Sequence, residues 1–303
     1  MIIVAGLGSV DDYLPFVEAG AGELFIGYVP LQWREQAPYD SLNRREVRFY
    51  NVQIGSMSEL LILRDMVRDA GVPVTIALNA LDFTPEQRSL IVSMVRECAD
   101  LGYEDYIVAD GALAELLCQH RVHLSGEYGE LNHLILADMK SMGVTRIIFP
   151  RQTKVEEMES MIQRFPDFEY EAFLLNEKCH YTGAYCNSLH CDELCHACRI
   201  PYRLFAEEGE IPGYNRPGYE EDHEDFSVPG ESGCGLCRLW KYRQIGITHL
   251  KLVSRGNDTE STLEDLSAIR TALEILEQAP DEQSYIRKMK EMIFPDGCSG
   301  NCY

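Results

Sequence analysis

The sequence has few basic residues: 27 Lys and Arg stand against 49 Asp and Glu, which gives a formal net charge of −22. Nucleic-acid binding normally requires a basic stripe that displaces counterions from the phosphate backbone, and the sequence shows no obvious one. A nucleic-acid partner is therefore disfavoured. No apolar run approaches the roughly 18 residues of a membrane-spanning helix, so a membrane partner is not expected.

Several familiar motifs are also missing. There is no H-E-x-x-H, no G-x-S-x-G and no Walker-type loop, which removes the commonest zinc protease, hydrolase and nucleotide-binding signatures. Gly6-Leu7-Gly8 follows the first predicted strand but does not continue as a dinucleotide-binding G-x-G-x-x-G. The first residues lack the basic start and small-residue cleavage site of a secretory signal, and we expect a cytoplasmic protein.

Short apolar runs alternate with amphipathic stretches of helical period, which is the pattern of a parallel α/β sheet. The hydrophobic content of 46% is enough for a sizeable core. The predicted strands are Ile2–Ala5, Glu23–Gly27, Val74–Leu78, Asp105–Ala109, Arg121–Leu124, Arg146–Phe149, Phe168–Leu174 and His249–Val253. The predicted helices are Asp11–Ala19, Met57–Ala70, Pro85–Leu101, Leu113–Gln119, Leu131–Met142, Val155–Phe165 and Thr262–Glu277.

Eight strands with interleaved helices predict a TIM-like (β/α)8 barrel, complete or distorted, with an open doubly wound sheet as the alternative. Residues 1–174 would form the first seven β/α units. Residues 175–237 form a cysteine-rich insertion between strands 7 and 8, and they include a strongly acidic loop at 207–231. Residues 238–303 would supply the last strand, its helix and a cysteine-containing tail.

The chain contains 11 cysteines, and nine of them follow residue 178. A reducing compartment disfavours structural disulfides, so clustered cysteines indicate metal or redox chemistry. Cys98 and Cys118 lie in helical patterns and are expected to be core residues. The predicted metal ligands are Cys179, Cys186, Cys191, Cys195, Cys198, Cys234, Cys237, Cys298 and Cys302.

The cysteine spacing leaves the metal open. Cys195-x2-Cys198 with Cys234-x2-Cys237 has the form of a two-knuckle zinc site. One such site would leave five thiols unexplained. Nine thiols instead fit a [4Fe–4S] cluster with a second metal site, zinc or another cluster.

Other residues near these thiols are candidates for supporting roles. Cys298 and Cys302 stand among glycines and predict either metal ligands or a redox dithiol. His180 and His196 lie among the cysteines and are predicted to bind the cofactor or to orient its ligands.

Several sequence blocks resemble the collagenase-like peptidase family U-32. The blocks are Glu171-Ala172-Phe173 before Cys179-x6-Cys186, then Cys198-Arg199 with Tyr202, Leu236-Cys237, Gly246 to Lys251, and Arg255-Gly256. Weaker similarities occur at Asn79, Ser125 and Pro150-Arg151. Together they cover roughly residues 1–260 in the family's order.

The resemblance implies a function as well as a fold. Family members include oxygen-independent hydroxylation factors for RNA bases and ubiquinone precursors, which bind a [4Fe–4S] cluster through four cysteines. The matching positions here are Cys179, Cys186, Cys195 (or its neighbour Cys198) and Cys237. The family's carboxylates are absent at Gln152 and Val253, which puts any acid/base role there in doubt.

Polar residues at the carboxyl ends of barrel strands are where such enzymes place their chemistry. The candidate catalytic residues are Asn79, Arg151 and Arg255, and the two guanidinium groups suit a carboxylate or phosphate on a substrate.

The leading hypothesis is an iron–sulfur oxidoreductase or oxygen-independent hydroxylase that acts on a small-molecule or peptidic substrate and requires an electron donor. The alternatives are a peptidase and a non-catalytic, metal-stabilised subunit. A homodimer, or a heterodimer with another barrel protein, is the expected assembly.

Overall fold

The computed structural model describes residues 1–45, 52–129, 131–179, 186, 205–206, 209–210 and 228–303. The predictions made for His180, Cys191, Cys195, His196 and Cys198 therefore lie outside the described residues. Within the described part of the chain, no helix is long and apolar enough to cross a membrane.

Eight parallel strands close into a barrel, which confirms the predicted (β/α)8 architecture. Neighbours in the barrel follow chain order, and the last strand closes the ring beside the first. A separate two-residue hairpin, β8 (Phe205–Ala206) with β9 (Gly209–Glu210), lies within the insertion. The barrel strands are β1 (Ile2–Leu7), β2 (Glu23–Gly27), β3 (Val74–Leu78), β4 (Asp105–Val108), β5 (Arg121–Leu124), β6 (Val144–Ile148), β7 (Glu169–Leu175) and β10 (His249–Leu252).

The barrel is surrounded by helices. Three of those described were not predicted: α2 (Leu31–Gln36), α8 (Leu239–Ile245) and α10 (Glu282–Ile293). The first two have six and seven residues, too few for the helical period to repeat recognisably. Among the described residues the helices are α1 (Tyr13–Ala19), α2 (Leu31–Gln36), α3 (Met57–Ala70), α4 (Pro85–Asp100), α5 (Gly111–Leu116), α6 (His133–Ser141), α7 (Val155–Arg164), α8 (Leu239–Ile245), α9 (Thr259–Gln278) and α10 (Glu282–Ile293).

Local capping signals fix where two of these helices begin. The Ser56 hydroxyl accepts a hydrogen bond from the Glu59 backbone N–H, and the Glu59 carboxylate accepts one in return. Thr84 and Gln87 form the same reciprocal pair at α4, with Pro85 in the first helical position. Such caps satisfy backbone donors that have no partner within the helix.

The barrel interior has an apolar layer towards the carboxyl ends of the strands. Its members alternate along each strand with residues that pack outwards against the helices, as the two-residue period of a strand requires. The layer consists of Val4, Phe25, Ala77, Ile107, Ile148, Phe173 and Val253.

An ionic network fills the opposite end of the barrel. Arg146 on β6 donates two 2.8 Å hydrogen bonds to Glu23 on β2, across the barrel axis. Arg146 also donates to Glu171 at 3.1 Å, and the Lys251 ammonium donates to the same carboxylate at 2.7 Å. Thr75 donates to Glu23 at 3.0 Å. All five residues are buried, so their charges are compensated within the barrel.

The two ends of the cysteine-rich insertion lie side by side. The backbone N–H groups of Asn176 and Lys178 donate to Gly233 and Ser232, both at 2.8 Å. Asp265 on α9 joins both ends, because its carboxylate accepts from the Asn176 amide at 2.5 Å and from the Gly230 N–H at 3.3 Å. The insertion therefore leaves and re-enters the barrel at one place, beyond the end of β7.

Candidate functional site at the barrel mouth

A cavity lies at the carboxyl ends of the barrel strands, where (β/α)8 enzymes carry their chemistry. Its floor is part of the inner apolar layer and includes Phe25 and Phe173. Five cationic side chains line its wall: Arg44, Arg45, Arg151, Lys251 and Arg255. The polar lining also includes Asn79, Ser125, Glu127 and Glu177.

Arg151 is the predicted catalytic residue with the densest set of contacts. It follows β6, and its guanidinium lies 3.3 Å from Glu127 and 3.8 Å from Glu177. Its Cζ atom stands 4.0 Å from the centroid of the Phe173 ring. Burial alone would lower the pKa of Arg151, but the nearby carboxylates outweigh it and raise the pKa. The guanidinium is therefore permanently charged although it is largely buried.

Arg255 follows β10, which is separated from β6 in the barrel by β7 alone. Its Nη2 donates to the Asn43 side-chain oxygen at 3.0 Å. Two glycines leave room for it. A Cβ atom on Gly6 would lie 2.8 Å from the backbone nitrogen of Arg255, and one on Gly27 would lie 2.5 Å from Nη1 at the end of its side chain. The close approach of the Arg255 backbone to Gly6 is the contact that a side chain would obstruct most.

Asn79 holds other lining residues in position. Its amide nitrogen donates to the Ser125 hydroxyl at 3.2 Å, and its oxygen accepts from the Arg44 backbone N–H at 3.3 Å. The three residues predicted as catalytic, Asn79, Arg151 and Arg255, therefore line one cavity.

Sequence analysis missed three of the cations. Arg44 and Arg45 lie in the connection between β2 and α3, and Lys251 lies inside β10. Arg44 approaches Glu127 at 3.6 Å, and Arg45 forms an ion pair with Glu177. The Lys251 ammonium lies 3.9 Å from the Phe25 ring centroid. One sequence signal could have indicated Lys251: it is a charged residue at an inward-facing position of a strand that is buried throughout.

The first cysteines of the insertion lie beside this mouth. The backbone carbonyl of Cys179 accepts from the Gln152 amide at 2.7 Å, and that of Cys186 accepts from the Arg44 guanidinium at 2.7 Å. Cys186 is buried. Arg44 of the cavity wall and Gln152, the neighbour of Arg151, therefore hold the backbone at these two predicted metal ligands.

A second set of predicted ligands lies at the other end of the insertion. Cys234 is in register with Cys302 in a parallel bridge, and Cys237 and Cys298 are close enough to interact electrostatically with both. Burial, with a smaller contribution from the neighbouring thiols, raises the pKa of the Cys234 thiol to about 12, although a hydrogen bond from the Leu236 backbone opposes the increase. Burial also raises the pKa of Cys237.

The donor set determines which metals these residues could hold. Thiols at short spacings are ligands for zinc and for iron–sulfur clusters, and hard cations such as Mg²⁺ prefer oxygen. Within the described ranges, no three His, Cys, Asp or Glu side chains already stand at metal-binding distances. The thiol chemistry thus fits a soft metal, and the assignment of ligands stays a prediction.

Known proteins give an independent comparison. The profile of peptidase family U32 matches residues 8–300. The tRNA hydroxylation protein P of Escherichia coli (strain K12) is 27% identical over 210 residues, covering 53% of this chain and 46% of that protein. Its namesake from Haemophilus influenzae is 24% identical over 209 residues, covering 65% of this chain and 45% of that protein. The chain thus spans about half the length of these curated relatives.

A solved structure gives a comparison of fold. The superposition with N-acetylneuraminate lyase from Fusobacterium nucleatum covers 95% of this chain and 79% of the lyase chain, with a TM-score of 0.52 and 9% identity. This likeness shows a shared barrel fold alone. The family match extends over nearly the whole sequence and confirms the resemblance found in the motifs. The chain belongs to peptidase family U32.

Proposed function

We propose that this chain is an iron–sulfur-dependent, oxygen-independent hydroxylation enzyme whose barrel mouth binds a substrate through an anionic group. The observation that carries the proposal is the placement of cationic side chains over an aromatic floor, next to Cys179 and Cys186. The names of two relatives, both tRNA hydroxylation proteins, support the reaction class.

The charge balance at the mouth favours an anionic ligand. Five cations face two lining carboxylates, Glu127 and Glu177, in a protein whose formal net charge is −22. A third carboxylate, Glu171, lies below the floor and neutralises Lys251. The remaining positive charge is therefore concentrated in one concave site, where low-dielectric walls strengthen its effect on an anion.

The arginines and aromatic rings have separate roles in this proposal. Arg151 and Arg255 would bind a carboxylate or phosphate, since each guanidinium presents several donors in one plane. Phe25 and Phe173 would pack against the apolar body of the substrate. Asn79 would act as a positioning residue, through its hydrogen bonds to Ser125 and to the Arg44 backbone.

The cluster would be held by Cys179, Cys186, Cys195 (or its neighbour Cys198) and Cys237, the set that the family resemblance implies. When bound, a [4Fe–4S] cluster supplies one-electron transfer. Conversion of C–H to C–OH with oxygen from water releases two electrons and two protons. The balance of this reaction therefore requires an electron-accepting partner protein or small molecule, in place of the electron donor expected from the sequence. A second barrel protein would be one such partner.

The nature of the substrate leaves two cases to distinguish. A small carboxylate- or phosphate-bearing molecule, free or within a peptide, fits a mouth whose cations are confined to one cavity. The relatives' names favour a tRNA base as the group that is hydroxylated. An excess of 22 negative charges opposes RNA binding elsewhere on the surface, so RNA would require a basic partner.

Peptide hydrolysis is the second candidate, and the family description favours it. Among the described lining residues, the Ser125 hydroxyl contacts the Asn79 amide, and the lining contains no histidine that could serve as its base. The site as described therefore supports hydroxylation better.

The first experiment is purification without oxygen, followed by measurement of iron, acid-labile sulfide and zinc. We expect at least four irons and four sulfides per chain, with brown colour that dithionite bleaches. Anaerobic incubation with extracts of small metabolites and with RNA should then give products heavier by one oxygen atom. Iron-free protein that cleaves a peptide library would instead establish the peptidase.

A further inference from the structure

Lys251 is a buried amine to which the proposed function gives no chemical role. It lies on β10, in register with Val4 on β1 and with Phe173 on β7, and both of these residues belong to the inner apolar layer. Residues in register on neighbouring parallel strands direct their side chains to the same face of the sheet. The Lys251 side chain therefore starts inside the barrel, at the level of the cavity floor.

Two contacts fix the position of the amine. Its Nζ atom lies over the Phe25 ring, 3.9 Å from the ring centroid, and donates to Glu171 Oε1 at 2.7 Å. Lys251 itself lines the mouth cavity together with Phe25, and its side chain is 9% exposed. The amine thus stands at the boundary between the cavity and the ionic network, where a small molecule bound in the mouth meets it.

We propose that Lys251 is a catalytic residue whose amine forms a Schiff base with a substrate that carries a ketone or aldehyde as well as a carboxylate or phosphate. This inference deepens the proposed function and rests on it for the binding of the anionic group by Arg151 and Arg255. It adds the chemical class of the group that reacts.

The covalent step leaves the charge of the site unchanged. The ammonium loses a proton, the neutral nitrogen forms a bond to the carbonyl carbon, and the adduct takes up a proton and expels the carbonyl oxygen as water. The net reaction converts one ammonium and one carbonyl into one iminium, NH⁺=C, and one water. Glu171 therefore has a cationic partner before and after the reaction.

The ionic network accommodates the neutral amine that must exist between these two states. Burial lowers the pKa of Lys251 more than the charges of Glu171 and Glu23 raise it, and the charge of Arg146 also lowers it. When the ammonium gives up its proton, Glu171 keeps the Arg146 guanidinium at 3.1 Å as its counter-ion. Deprotonation thus leaves no uncompensated carboxylate at this place in the barrel.

The aromatic floor connects the amine to the anion-binding arginines. An iminium at Lys251 would keep the cation–π contact that the ammonium makes with Phe25. The Arg255 Cζ atom lies 5.9 Å from the centroid of the same ring, and the Arg151 Cζ atom lies 4.0 Å from that of Phe173. A short substrate can therefore place its anionic group on the arginines and its carbonyl carbon at the amine.

A Schiff base would also prepare a carbon atom for oxidation. An iminium withdraws electrons from the neighbouring carbon, whose C–H bond then gives its proton to water and leaves an enamine. Transfer of two electrons from the enamine to the electron acceptor, with addition of OH from water and release of a second proton, gives a hydroxylated iminium. Its hydrolysis frees the hydroxylated carbonyl compound and regenerates the Lys251 ammonium. The two electrons and two protons are those of the proposed hydroxylation.

Reductive trapping tests the Schiff base with simple probes. The unmodified chain, purified without oxygen, is incubated with glyoxylate and cyanoborohydride, and peptide mass spectrometry locates the modified lysines. We expect the adduct to form at Lys251 roughly tenfold faster or more than at Lys241, an exposed lysine on α8. Acetaldehyde has the carbonyl but no anionic group, and it should label Lys251 roughly tenfold more slowly than glyoxylate does.

Variants separate catalysis from a structural role. Arg151→Met should slow the trapping of glyoxylate at Lys251 roughly tenfold and leave the trapping of acetaldehyde unchanged, because only glyoxylate uses the guanidinium. Lys251→Arg keeps a cation beside Glu171 and should abolish the fast adduct. Lys241→Arg is the matched control and should trap glyoxylate as the unmodified chain does.

Two results with the unmodified chain would overturn the proposal, and neither depends on the folding of a variant. They are labelling of Lys251 no faster than that of Lys241, and equal labelling of Lys251 by glyoxylate and acetaldehyde. A chain that traps glyoxylate at Lys251 but contains no iron would refute only the proposed hydroxylation. A chain that contains iron and hydroxylates extracted metabolites without trapping would refute only the Schiff base.

Discussion

Arg151 connects the anion-binding wall, the aromatic floor and the cysteine segment. It contacts Glu127 and Glu177, stacks on Phe173 and lies close enough to Cys179 to interact with it electrostatically. A guanidinium with this many partners is held in one orientation. Its substitution should therefore affect ligand binding more than the substitution of an exposed arginine.

We expect Arg151→Met to weaken binding of inorganic sulfate or phosphate roughly tenfold to hundredfold, the effect of losing a charge-assisted hydrogen bond. Methionine keeps much of the volume over Phe173, so packing is largely retained. Titration calorimetry on the folded protein measures the change. Arg121→Met, at the opposite end of the barrel, is the control, and equal anion affinity in the two variants would contradict the assignment.

The site residues that were predicted and those that were missed differ in their position relative to the predicted strands. Arg151 and Arg255 directly follow predicted strands, and topology alone takes such residues to the mouth of a barrel. Arg44 lies in a long connection without periodicity, so nothing in the sequence indicates that it returns to the mouth. The pairing of Cys234 with Cys302 joins positions 68 residues apart, and only the folded chain reveals it.

At the scale of elements, strands were the most predictable part. The ends of β2, β3 and β5 agree with the sequence prediction because each strand is a short apolar run between helix-ending and helix-starting signals. Short helices such as α2 and α8 were missed, since one or two turns give too few repeats of the period.

Asp265 makes the attachment of the insertion sensitive to pH. Burial raises its pKa to about 6, although the Asn176 amide and the Gly230 N–H oppose that increase. A carboxyl whose folded-state pKa lies above its unfolded value stabilises the fold below the unfolded pKa, and this contribution is lost as pH rises through about 6. The ends of the insertion should therefore be held most firmly in mild acid.

We expect Asp265→Asn to remove this dependence, because asparagine imitates the protonated carboxyl. In urea titrations, the free energy of unfolding of the variant relative to that of the unmodified chain should therefore be more favourable at pH 7.5 than at pH 5. Asp265→Ala removes the acceptor for both ends and should destabilise at both pH values by roughly 1–3 kcal/mol. An unchanged pH dependence in Asp265→Asn would refute the argument.

At the scale of the whole molecule, the ionic network at the amino-terminal end of the barrel predicts sensitivity to acid. Burial, then the charge of Arg146, lowers the pKa of His249. Burial alone would raise the pKa of Glu171, but Lys251 and Arg146 hold it at about 2. For both groups the unfolded chain binds more protons in the affected range, so stability falls as pH falls.

The expected course has two stages. Stability should begin to decline below about pH 6.5 as unfolded chains protonate at His249, and again below about pH 4.5 as they protonate at Glu171. Urea midpoints in the Asp265→Asn variant isolate these contributions, since that variant lacks the opposite trend. A midpoint that stays constant from pH 7 to pH 4 would contradict the prediction.

Arg146 is the residue whose loss should damage the barrel most, because it joins β6 to β2 across the axis and is 2% exposed. Removing one partner of a buried ion pair leaves the other charge uncompensated, which typically destabilises by about 3–5 kcal/mol. We therefore expect Arg146→Met to lower the urea midpoint sharply at pH 7 and less at pH 4, where Glu171 can be protonated once the charge of Arg146 is absent. Arg64→Met is the matched control, since the Arg64–Asp65 pair is exposed and should contribute little to stability. Similar losses in the two variants would show that the network fills space without contributing charge compensation, and the acid sensitivity would then need another origin.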